Sequence, residues 1–215
     1  MELLVNEIFH SIQGESTLAG WPCVFVRLTG CNLRCNYCDT RYAWEEGRLL
    51  DSREILRQIR QFGCSLVEIT GGEPLIQQDT PAMIVELLDC GYRVLIETNG
   101  SRDISRVDSR CVRIVDFKCP SSGETDSIDL ENIGRLNEHD ELKLVVADWN
   151  DYLFAKDITR QVQKLSFPDL TIHFSPVFGR LEPRELARWI LRDGLRVRLN
   201  VQLHKYIWGP CQRGV

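Results

Sequence analysis

Short apolar runs alternate along this chain with stretches whose apolar residues recur at helical spacing. The runs are rich in β-branched and aromatic residues, which is typical of buried strands. They predict strands at residues 23–28, 66–70, 93–98, 112–117, 142–147, 171–175 and 196–201. The stretches between them predict helices at residues 51–63, 80–91, 151–165 and 182–194.

This alternation of strands and helices predicts an α/β fold. Continuous apolar strands are buried on both faces, so we expect a mostly parallel sheet of about six to seven strands with flanking helices. The sheet is either open or closed into a barrel, and it has fewer strands than a complete TIM barrel. The chain shows no linker, repeat or low-complexity tract, and we expect a single domain over residues 1–215.

Polar and glycine-rich segments directly follow six of the predicted strands. In parallel α/β folds the carboxyl ends of the strands lie on one face of the sheet, where ligands bind. We therefore expect these segments to converge on one functional site. They are residues 30–38, 71–74, 99–100, 118–123, 176–179 and 202–210.

Charge and hydropathy narrow the classes of function. The chain has 26 Lys and Arg against 31 Asp and Glu, spread along its length, with a formal net charge of −5. This balance disfavours a nucleic-acid partner, and with it an enzyme that modifies RNA, and it favours small-molecule chemistry. No apolar run approaches the roughly 20 residues of a membrane span, and no targeting segment is visible. We expect a cytoplasmic protein with no membrane partner.

Three of the nine cysteines, Cys31, Cys35 and Cys38, form a C-x3-C-x2-C motif. In a reducing compartment such a motif indicates metal or redox chemistry rather than disulfides. A structural zinc site needs four ligands; no second cysteine pair follows, although one of the dispersed histidines could supply the fourth ligand. A [4Fe-4S] cluster held by three thiolates instead leaves one iron open to a ligand. The spacing favours the iron–sulfur cluster, and a zinc-stabilised binding module remains the alternative.

The cysteine segment, with the aromatic Tyr37 before its last cysteine, resembles the signature of the radical S-adenosylmethionine (SAM) superfamily. The sequence GGEP at residues 71–74 is similar to the second motif of that superfamily. The resemblance implies a radical SAM core, which is a partial TIM-like barrel. It also implies that S-adenosylmethionine binds the open iron and that one electron cleaves it to a 5′-deoxyadenosyl radical.

Five segments carry a narrower similarity: EIFHSIQGESTLAGWPCVFVRLTGCNLRCNYCDT, TGGEPLIQ, ETNGS, FKCPSSG and HKYIWG. Together they resemble the 7-carboxy-7-deazaguanine synthase family from residue 7 to the C-terminus. The resemblance implies a carbon–nitrogen lyase that contracts the ring of 6-carboxy-5,6,7,8-tetrahydropterin, with loss of ammonia, in 7-deazapurine (queuosine) biosynthesis. It also implies Mg²⁺ as a further cofactor, a flavodoxin-like reducing partner and a homodimer.

The same resemblance implies roles for individual residues. Substrate contacts are implied for Ile12, Gln13, Gly14, Glu15, Arg27, Thr70, His204 and Pro210. Contacts with S-adenosylmethionine are implied for Tyr37, Asp39, Gly72, Glu73, Asn99, Asp116, Phe117, Lys118, Ser121 and Ser175. Metal ligation is implied for Cys31, Cys35 and Cys38 on the cluster and for Thr40 on Mg²⁺.

Arg27 is also notable on its own, because it is a cation inside an otherwise apolar strand. A buried charge needs a partner, and a guanidinium can form a bidentate pair with a carboxylate. That carboxylate belongs either to a neighbouring acidic residue or to a substrate, and the residues alone leave both open. The family resemblance favours the substrate.

The chain departs from the family pattern at two places. Asp116 and Phe117 stand where relatives often have Ser-Pro before the lysine, so these two side chains differ from the usual ones. Relatives that end near Pro210 can use a terminal carboxylate in the site, whereas here Cys211 follows.

A radical activating enzyme is the alternative function within the superfamily. Such enzymes generate a glycyl radical on a partner protein, and they share the small size and the cysteine spacing. They need a groove for a protein loop, whereas Arg27, Glu15 and His204 together favour a small substrate.

Overall fold

The computed structural model describes residues 1–164 and 170–215, and within them nine strands form one sheet. The strands are β1 (Glu2–Ile12), β2 (Pro22–Leu28), β3 (Arg48–Asp51), β4 (Leu66–Gly71), β5 (Arg93–Thr98), β6 (Val112–Phe117), β7 (Glu141–Val146), β8 (Thr171–Pro176) and β9 (Arg198–Leu199). The α-helices are α1 (Ser52–Gln61), α2 (Thr80–Asp89), α3 (Asn132–Arg135), α4 (Trp149–Lys164), α5 (Pro183–Asp193) and α6 (Leu203–Ile207).

The sheet is mostly parallel, which confirms the predicted α/β class with flanking helices. Its strand order is β3-β1-β2-β4-β5-β6-β7-β8-β9, and every neighbouring pair from β2 to β9 is parallel. The strands of this parallel part are those that the apolar runs predict. Strand β1 pairs antiparallel with both β2 and β3. Strands β3 and β9 are the two edges, so the barrel is incomplete.

Three strands differ from the prediction. The sequence pattern does not predict β1, because the polar residues Asn6, Glu7 and His10 interrupt its apolar ones. Leu3 and Val5 are nevertheless buried, and the strand pairs with β2. Strand β3, also not predicted, has four residues and pairs with β1. The strand predicted at residues 196–201 shortens to Arg198–Leu199, whose side chains are exposed. A longer edge strand there would bury little apolar surface.

The four longest helices lie where the amphipathic stretches predict them. Helix α1 begins at its cap, Asp51, whose side chain accepts a hydrogen bond from Glu54 N at 2.8 Å. Helix α5 ends at Gly194, whose φ of 58° is a left-handed conformation that glycine adopts without strain. Leu165, the last residue of the helix predicted at 151–165, lies outside the described residues. Within the described ranges, no helix has the length and apolar character that crossing a bilayer requires.

The two faces of the sheet carry different apolar clusters. One face packs against the helices through residues such as Val26, Ile69 and Leu144, which meet Ile59 of α1 and Met83 of α2 in one core. The other face lines the interior of the incomplete barrel. Its apolar residues form a second, smaller cluster: Phe9, Cys23, Phe25, Leu66, Leu95 and Ile114.

Charged residues follow the apolar ones on this inner face, toward the carboxyl ends of the strands. Because side chains alternate between the two faces of a strand, positions two residues apart share a face. Lys143 of β7 is in register with Asp116 of β6. The interior is therefore apolar toward the amino ends of the strands and polar toward their carboxyl ends. On each of β4, β5 and β6 an apolar residue is followed, two positions later, by an acidic one: Leu66 and Glu68, Leu95 and Glu97, and Ile114 and Asp116.

A buried ion pair fixes the opposite end of the sheet. Arg113 of β6 and Asp140, which precedes β7, have side chains that are 5% and 0% exposed. Arg113 Nε and Nη2 donate to the carboxylate of Asp140 at 2.5–3.1 Å, and Nη1 donates to Ile104 O at 3.1 Å. Asp140 also accepts from Asn137 N at 2.8 Å. The pair therefore ties two strands to the segments that precede them.

Replacing Asp140 by alanine would leave Arg113 buried without its anion. Breaking one side of a buried ion pair costs about 3–5 kcal/mol, so Asp140→Ala should lower the free energy of unfolding by about that amount. Urea titration of the metal-free, reduced protein, followed by circular dichroism, measures the change. The control Asp157→Ala removes an ion pair with Arg160 whose side chains are both more than half exposed, and it should cost much less. Equal losses in the two variants would contradict the structural role of the buried pair.

Candidate active site

A cavity of about 990 Å³ opens where the parallel strands end. All six segments that follow predicted strands contribute to its wall. The volume accommodates a cofactor together with a small substrate. Of the residues predicted to contact substrate, cofactor or metal, all line this cavity except Glu73, Phe117, Ser121 and Ser175.

The three cysteines of the C-x3-C-x2-C motif line the cavity on the loop that follows β2. Asn36 holds this loop against the segment after β6, since its N donates to Ser122 O at 2.9 Å and its Nδ2 donates to Ser121 O at 3.1 Å. The Sγ of Cys31 accepts a hydrogen bond from Leu33 N at 3.4 Å. An N–H donor to sulfur stabilises the thiolate, which is the form that binds iron.

Gly72 lets the end of β4 approach the cysteine loop closely. A Cβ at this position would lie 2.0 Å from Gly30 O and 2.8 Å from the Cβ of Cys31, so a larger residue would push the loop away. Glu73 N donates to Gly30 O at 2.8 Å and holds the two segments together. Backbone groups of this turn are thereby placed beside the thiols, where they can bind a cofactor.

The chemistry of this part of the cavity fits an iron–sulfur cluster with one open iron. Three thiols line it, and among the described residues no three Cys, His, Asp or Glu side chains converge on a single metal ion. Three thiolates are what a cluster with a cofactor-binding iron requires. The hydroxyl of Tyr37 is buried nearby and has no hydrogen-bond partner within residues 1–164 and 170–215. A bound cofactor can supply that partner.

Glu73 does not line the cavity, because neighbouring groups occupy its carboxylate. Its side chain is fully buried and accepts from Leu75 N at 2.9 Å, Asn99 N at 2.6 Å and Thr98 Oγ1 at 2.8 Å. Burial raises the pKa of Glu73, and these three donors oppose that shift. The arrangement does not support the predicted contact of this carboxylate with S-adenosylmethionine. Instead, Glu73 fixes Asn99, which does line the cavity.

Three further residues predicted to contact the cofactor have side chains outside the cavity wall. Phe117 is fully buried in the core between the sheet and the helices. Ser121 donates to the Asp151 carboxylate from its N at 2.9 Å and also from its hydroxyl. Ser175 Oγ accepts from Asn200 Nδ2 at 2.9 Å. In this arrangement these side chains pack or join neighbouring segments rather than face the cavity.

Asp116 and Lys118 form an ion pair that lines the cavity near the cysteines. Lys118 Nζ lies 2.7 Å from Asp116 Oδ2, and the two side chains are 15% and 7% exposed. Burial alone would lower the pKa of Lys118, but the Asp116 carboxylate raises it above its ordinary value. A lasting positive charge therefore lies close to Tyr37 and Cys35, where it favours negatively charged ligands.

A second buried lysine, Lys143, gathers carboxylates deeper in the cavity. Its Nζ lies 2.6 Å from Glu97, 3.1 Å from Glu15 and 4.0 Å from Asp116. Burial would lower the pKa of Lys143, but these acids raise it well above its usual value. Burial would raise the pKa of Glu15, but Lys143 lowers it, so Glu15 stays ionised. Burial raises the pKa of Glu97.

Three further charged residues line the cavity without belonging to any of the sequence motifs: Glu68, Glu97 and Lys143. Glu68 is buried and accepts a hydrogen bond from Gln13 Nε2. Burial and the neighbouring Glu97 carboxylate raise the pKa of Glu68. These residues could be identified from the sequence by the same criterion as Arg27, because each is a charged residue inside an otherwise apolar strand.

Arg27 forms the salt bridge that the sequence leaves open, and it still presents donors to the cavity. Its Nε donates to Glu7 Oε1 at 2.7 Å, and Tyr42 OH donates to the same oxygen at 3.1 Å. The guanidinium also lies 5.6 Å from the ring centre of Phe9. Its Nη1 and Nη2 make no hydrogen bond within the described part of the chain. These two nitrogens are available to a carboxylate ligand.

The loop after β1 meets helix α6 at Gly14 and His204. A Cβ on Gly14 would lie 2.1 Å from His204 Nδ1, so no side chain fits there. Leu203 N donates to Gly14 O at 2.9 Å. Burial lowers the pKa of His204, so its imidazole is neutral at neutral pH. The contact places His204 near Glu15.

Asp39 and Thr40 line the cavity at the end of the cysteine loop. Thr40 Oγ1 donates to Asp39 Oδ1 at 2.9 Å, and Lys205 Nζ lies 2.5 Å from Asp39 Oδ2. Burial would raise the pKa of Asp39, but Lys205 and Thr40 lower it to about 2. The two residues offer oxygen ligands of the kind that Mg²⁺ prefers.

Residues 209–215 cover part of the same cavity. The guanidinium of Arg213 lies 3.7 Å from the ring centre of Tyr42, and its Nη1 lies 3.1 Å from the Glu46 carboxylate. Tyr42 also packs against Arg27, at 5.8 Å. This terminal segment, which includes Pro210, and Arg27 therefore line the same cavity and pack against the same side chain, Tyr42.

Comparison with known proteins agrees with the motifs. Residues 25–114 match the Radical SAM superfamily. The chain is 49% identical over 216 residues to a 7-carboxy-7-deazaguanine synthase from Chlorobaculum tepidum, covering 99% of this chain and 97% of that protein. It is 44% identical over 225 residues to one from Koribacter versatilis, covering 98% of this chain and 99% of that protein.

The fold is also similar to a solved structure. The crystal structure of QueE from Escherichia coli aligns with a TM-score of 0.79 over 95% of each chain. At 23% sequence identity, this likeness concerns the fold alone. Because the two curated relatives match along nearly the whole chain, the chain belongs to the 7-carboxy-7-deazaguanine synthase family of the radical SAM superfamily.

Proposed function

We propose that this chain converts 6-carboxy-5,6,7,8-tetrahydropterin to 7-carboxy-7-deazaguanine with loss of ammonia, as a radical SAM carbon–nitrogen lyase of 7-deazapurine (queuosine) biosynthesis. The observation that carries the proposal is that one cavity is lined both by the motif cysteines and by Arg27, Glu15 and His204. The names of the curated relatives support the same reaction.

The cysteine loop is the proposed site of the cofactors. Family membership implies a [4Fe-4S] cluster and S-adenosylmethionine. We assign the cluster to Cys31, Cys35 and Cys38, and the methionine part of the cofactor to the backbone beside Gly72. When bound, these groups supply a 5′-deoxyadenosyl radical that removes a hydrogen atom from the substrate. Lys118 offsets part of the negative charge of the thiolates.

The remaining wall suits a flat substrate with one carboxylate and several N–H donors. Arg27 offers Nη1 and Nη2 to the carboxylate. Glu15 is ionised, is held by Lys143 at 3.1 Å, and can accept N–H donors of the ring. Neutral His204 can accept a proton from a nearby substrate group. Thr40 supplies a hard oxygen for Mg²⁺, which we propose as a third cofactor.

We further propose a single-domain cytoplasmic homodimer that takes electrons from a flavodoxin-like partner. The family resemblance supports these features. The surface of the cysteine loop is compatible with an acidic reductant, because exposed Arg34 and Arg41 lie 4.4 Å and 5.9 Å from the ring of Trp44. Positive charge at this place can steer an acidic protein toward the cluster.

Anaerobic turnover tests the reaction directly. Reconstituted protein with S-adenosylmethionine, Mg²⁺, dithionite and the tetrahydropterin should form a product lighter than the substrate by one ammonia. Mass spectrometry identifies that product, and chromatography measures the 5′-deoxyadenosine released alongside it. Omission of S-adenosylmethionine is the control and should abolish both signals. An unconsumed pterin, together with a glycyl radical on a partner protein, would instead support an activating enzyme.

The cluster assignment predicts that each motif cysteine is needed for iron binding. Cys35→Ala should reduce the iron and acid-labile sulfide of reconstituted protein to near background, because the cluster loses one of three thiolates. Cys90→Ala is the matched control, since Cys90 is exposed and does not line the cavity, and it should keep normal iron content. Undiminished iron and sulfide in the Cys35→Ala variant would refute the assignment. One zinc without sulfide in the wild type would support a binding module.

Replacing Arg27 by methionine keeps much of the apolar side chain but removes the guanidinium. Loss of a hydrogen bond to a charged group weakens binding by about 1.5–3 kcal/mol, so KM for the pterin should rise roughly 10- to 100-fold. Iron content should not change. Arg57→Met, on an exposed face of α1, is the control and should leave KM as it is. An unchanged KM in Arg27→Met would mean that Arg27 serves only its salt bridge with Glu7.

A further inference from the structure

One wall of the cavity, here named the Phe9–Phe25–Glu68 row, is built by three residues on adjacent strands. Phe9 of β1 lies opposite Phe25 of β2, and Phe25 is in register with Glu68 of β4. The two phenyl rings are 5.0 Å apart and nearly parallel, at 13°. All three residues are more than nine-tenths buried and yet line the cavity. The row is therefore an apolar wall that ends in a carboxylate.

The surrounding protein does not balance the charge that an ionised Glu68 would carry. Among the described residues, its carboxylate accepts one hydrogen bond, from Gln13 Nε2. The nearby cation, Lys143, bonds instead to Glu97 at 2.6 Å and to Glu15 at 3.1 Å. A carboxylate has about four acceptor positions, so most of those on Glu68 are unused. A buried carboxylate in this state is costly unless a proton or the donors of a ligand satisfy it.

Gln13 fixes the position of this carboxylate. Its Oε1 accepts from Glu15 N at 2.9 Å, while its Nε2 donates to Glu68. Because both ends of the amide are engaged, the side chain of Gln13 is held in one orientation beside Glu68. Glu68 is thus the carboxylate that remains open on this wall.

We propose that Glu68 recognises the 2-amino-4-oxopyrimidine edge of the pterin by accepting hydrogen bonds from its N3–H and 2-amino groups. The inference rests on the proposed function and names a contact within the same site. Two neighbouring N–H donors on one edge match the two oxygens of a carboxylate. Phe9 and Phe25 supply the apolar surface against which the flat ring packs.

The spacing between Glu68 and Arg27 suits a ligand of two fused rings. Arg27 is in register with Thr70, and Glu68 precedes Thr70 by two residues on the same face of β4. With strands about 4.8 Å apart and a rise of about 3.3 Å per residue, the Cα atoms of Arg27 and Glu68 are roughly 8 Å apart. A pterin whose carboxylate meets Arg27 can therefore bring its donor-bearing ring to Glu68.

The test compares the pterin with its 2-oxo analogue, 6-carboxy-5,6,7,8-tetrahydrolumazine, as substrates of the reconstituted holoenzyme. The analogue replaces the 2-amino donor by a carbonyl oxygen, whose lone pairs would face those of the Glu68 carboxylate. The wild type should therefore prefer the pterin by about 10- to 100-fold in kcat/KM. Equal kcat/KM values for the two compounds would overturn the proposal without any variant.

Glu68→Gln keeps the shape of the side chain and replaces one acceptor by a donor. The new amide complements the N3–H and 2-oxo groups of the analogue, so the pterin should lose about 10- to 100-fold in kcat/KM and the preference should shift toward the analogue. Glu97→Gln is the matched control, because it also removes a carboxylate from the cavity but should keep the wild-type preference. A wild-type preference in Glu68→Gln, or an equal shift in Glu97→Gln, overturns the proposal.

Failure of the proposed function and failure of this inference give different results. If the function is wrong, the wild type does not turn over the pterin at all. If only the inference is wrong, the wild type turns over the pterin and Glu68→Gln keeps its preference. Iron content and circular dichroism show whether Glu68→Gln is folded. Should it not fold, equilibrium binding of the two compounds to wild type without dithionite decides, and equal affinities overturn the inference.

Discussion

Lys143 is buried among three carboxylates, and the shape of the cavity depends on that arrangement. Its ammonium group, in a residue only 5% exposed, joins Glu97 of β5 and Asp116 of β6 to Glu15 of the loop after β1. Without this cation, three carboxylates would lie close together in a buried region. Their mutual repulsion would favour protonation or the entry of water. Because Glu15 lies outside the parallel strands, the same cation also fixes a loop against the sheet. Removing one member of such a network costs more than any pair contributes.

The fold could be predicted where strands are buried on both faces, because such strands appear in the sequence as continuous apolar runs. Strands β5 and β6 begin and end at the predicted residues. Strand β1 could not be found in this way, since the polar residues Asn6, Glu7 and His10 interrupt its apolar positions. The stretch at 196–201 alternates Arg and apolar residues, and the pattern does not reveal that its position at the edge leaves it exposed.

The location of the site could also be predicted, because a position at the end of a parallel strand is a property of chain order. The direction of a side chain is not, since it depends on which hydrogen-bond partners reach it in three dimensions. Glu73 shows this difference: it follows β4 as predicted, but Leu75 N and the neighbouring strand take up its carboxylate. Glu68 and Lys143 could have been identified as candidate site residues from the sequence alone, because each is a charged residue inside an apolar strand. Only the structure shows that Lys143 leaves Glu68 unpaired.

The contact between Gly14 and His204 limits how sequences of this family can drift. Any mutation at position 14 adds a carbon atom 2.1 Å from the imidazole. Helix α6 cannot simply retreat, because Lys205 beside His204 is bonded to Asp39 of the cysteine loop. Three regions that are distant along the chain are thus locked into one junction. Residues on the outer surfaces of the helices can therefore change independently, whereas a substitution at this junction requires compensating substitutions in the other two regions.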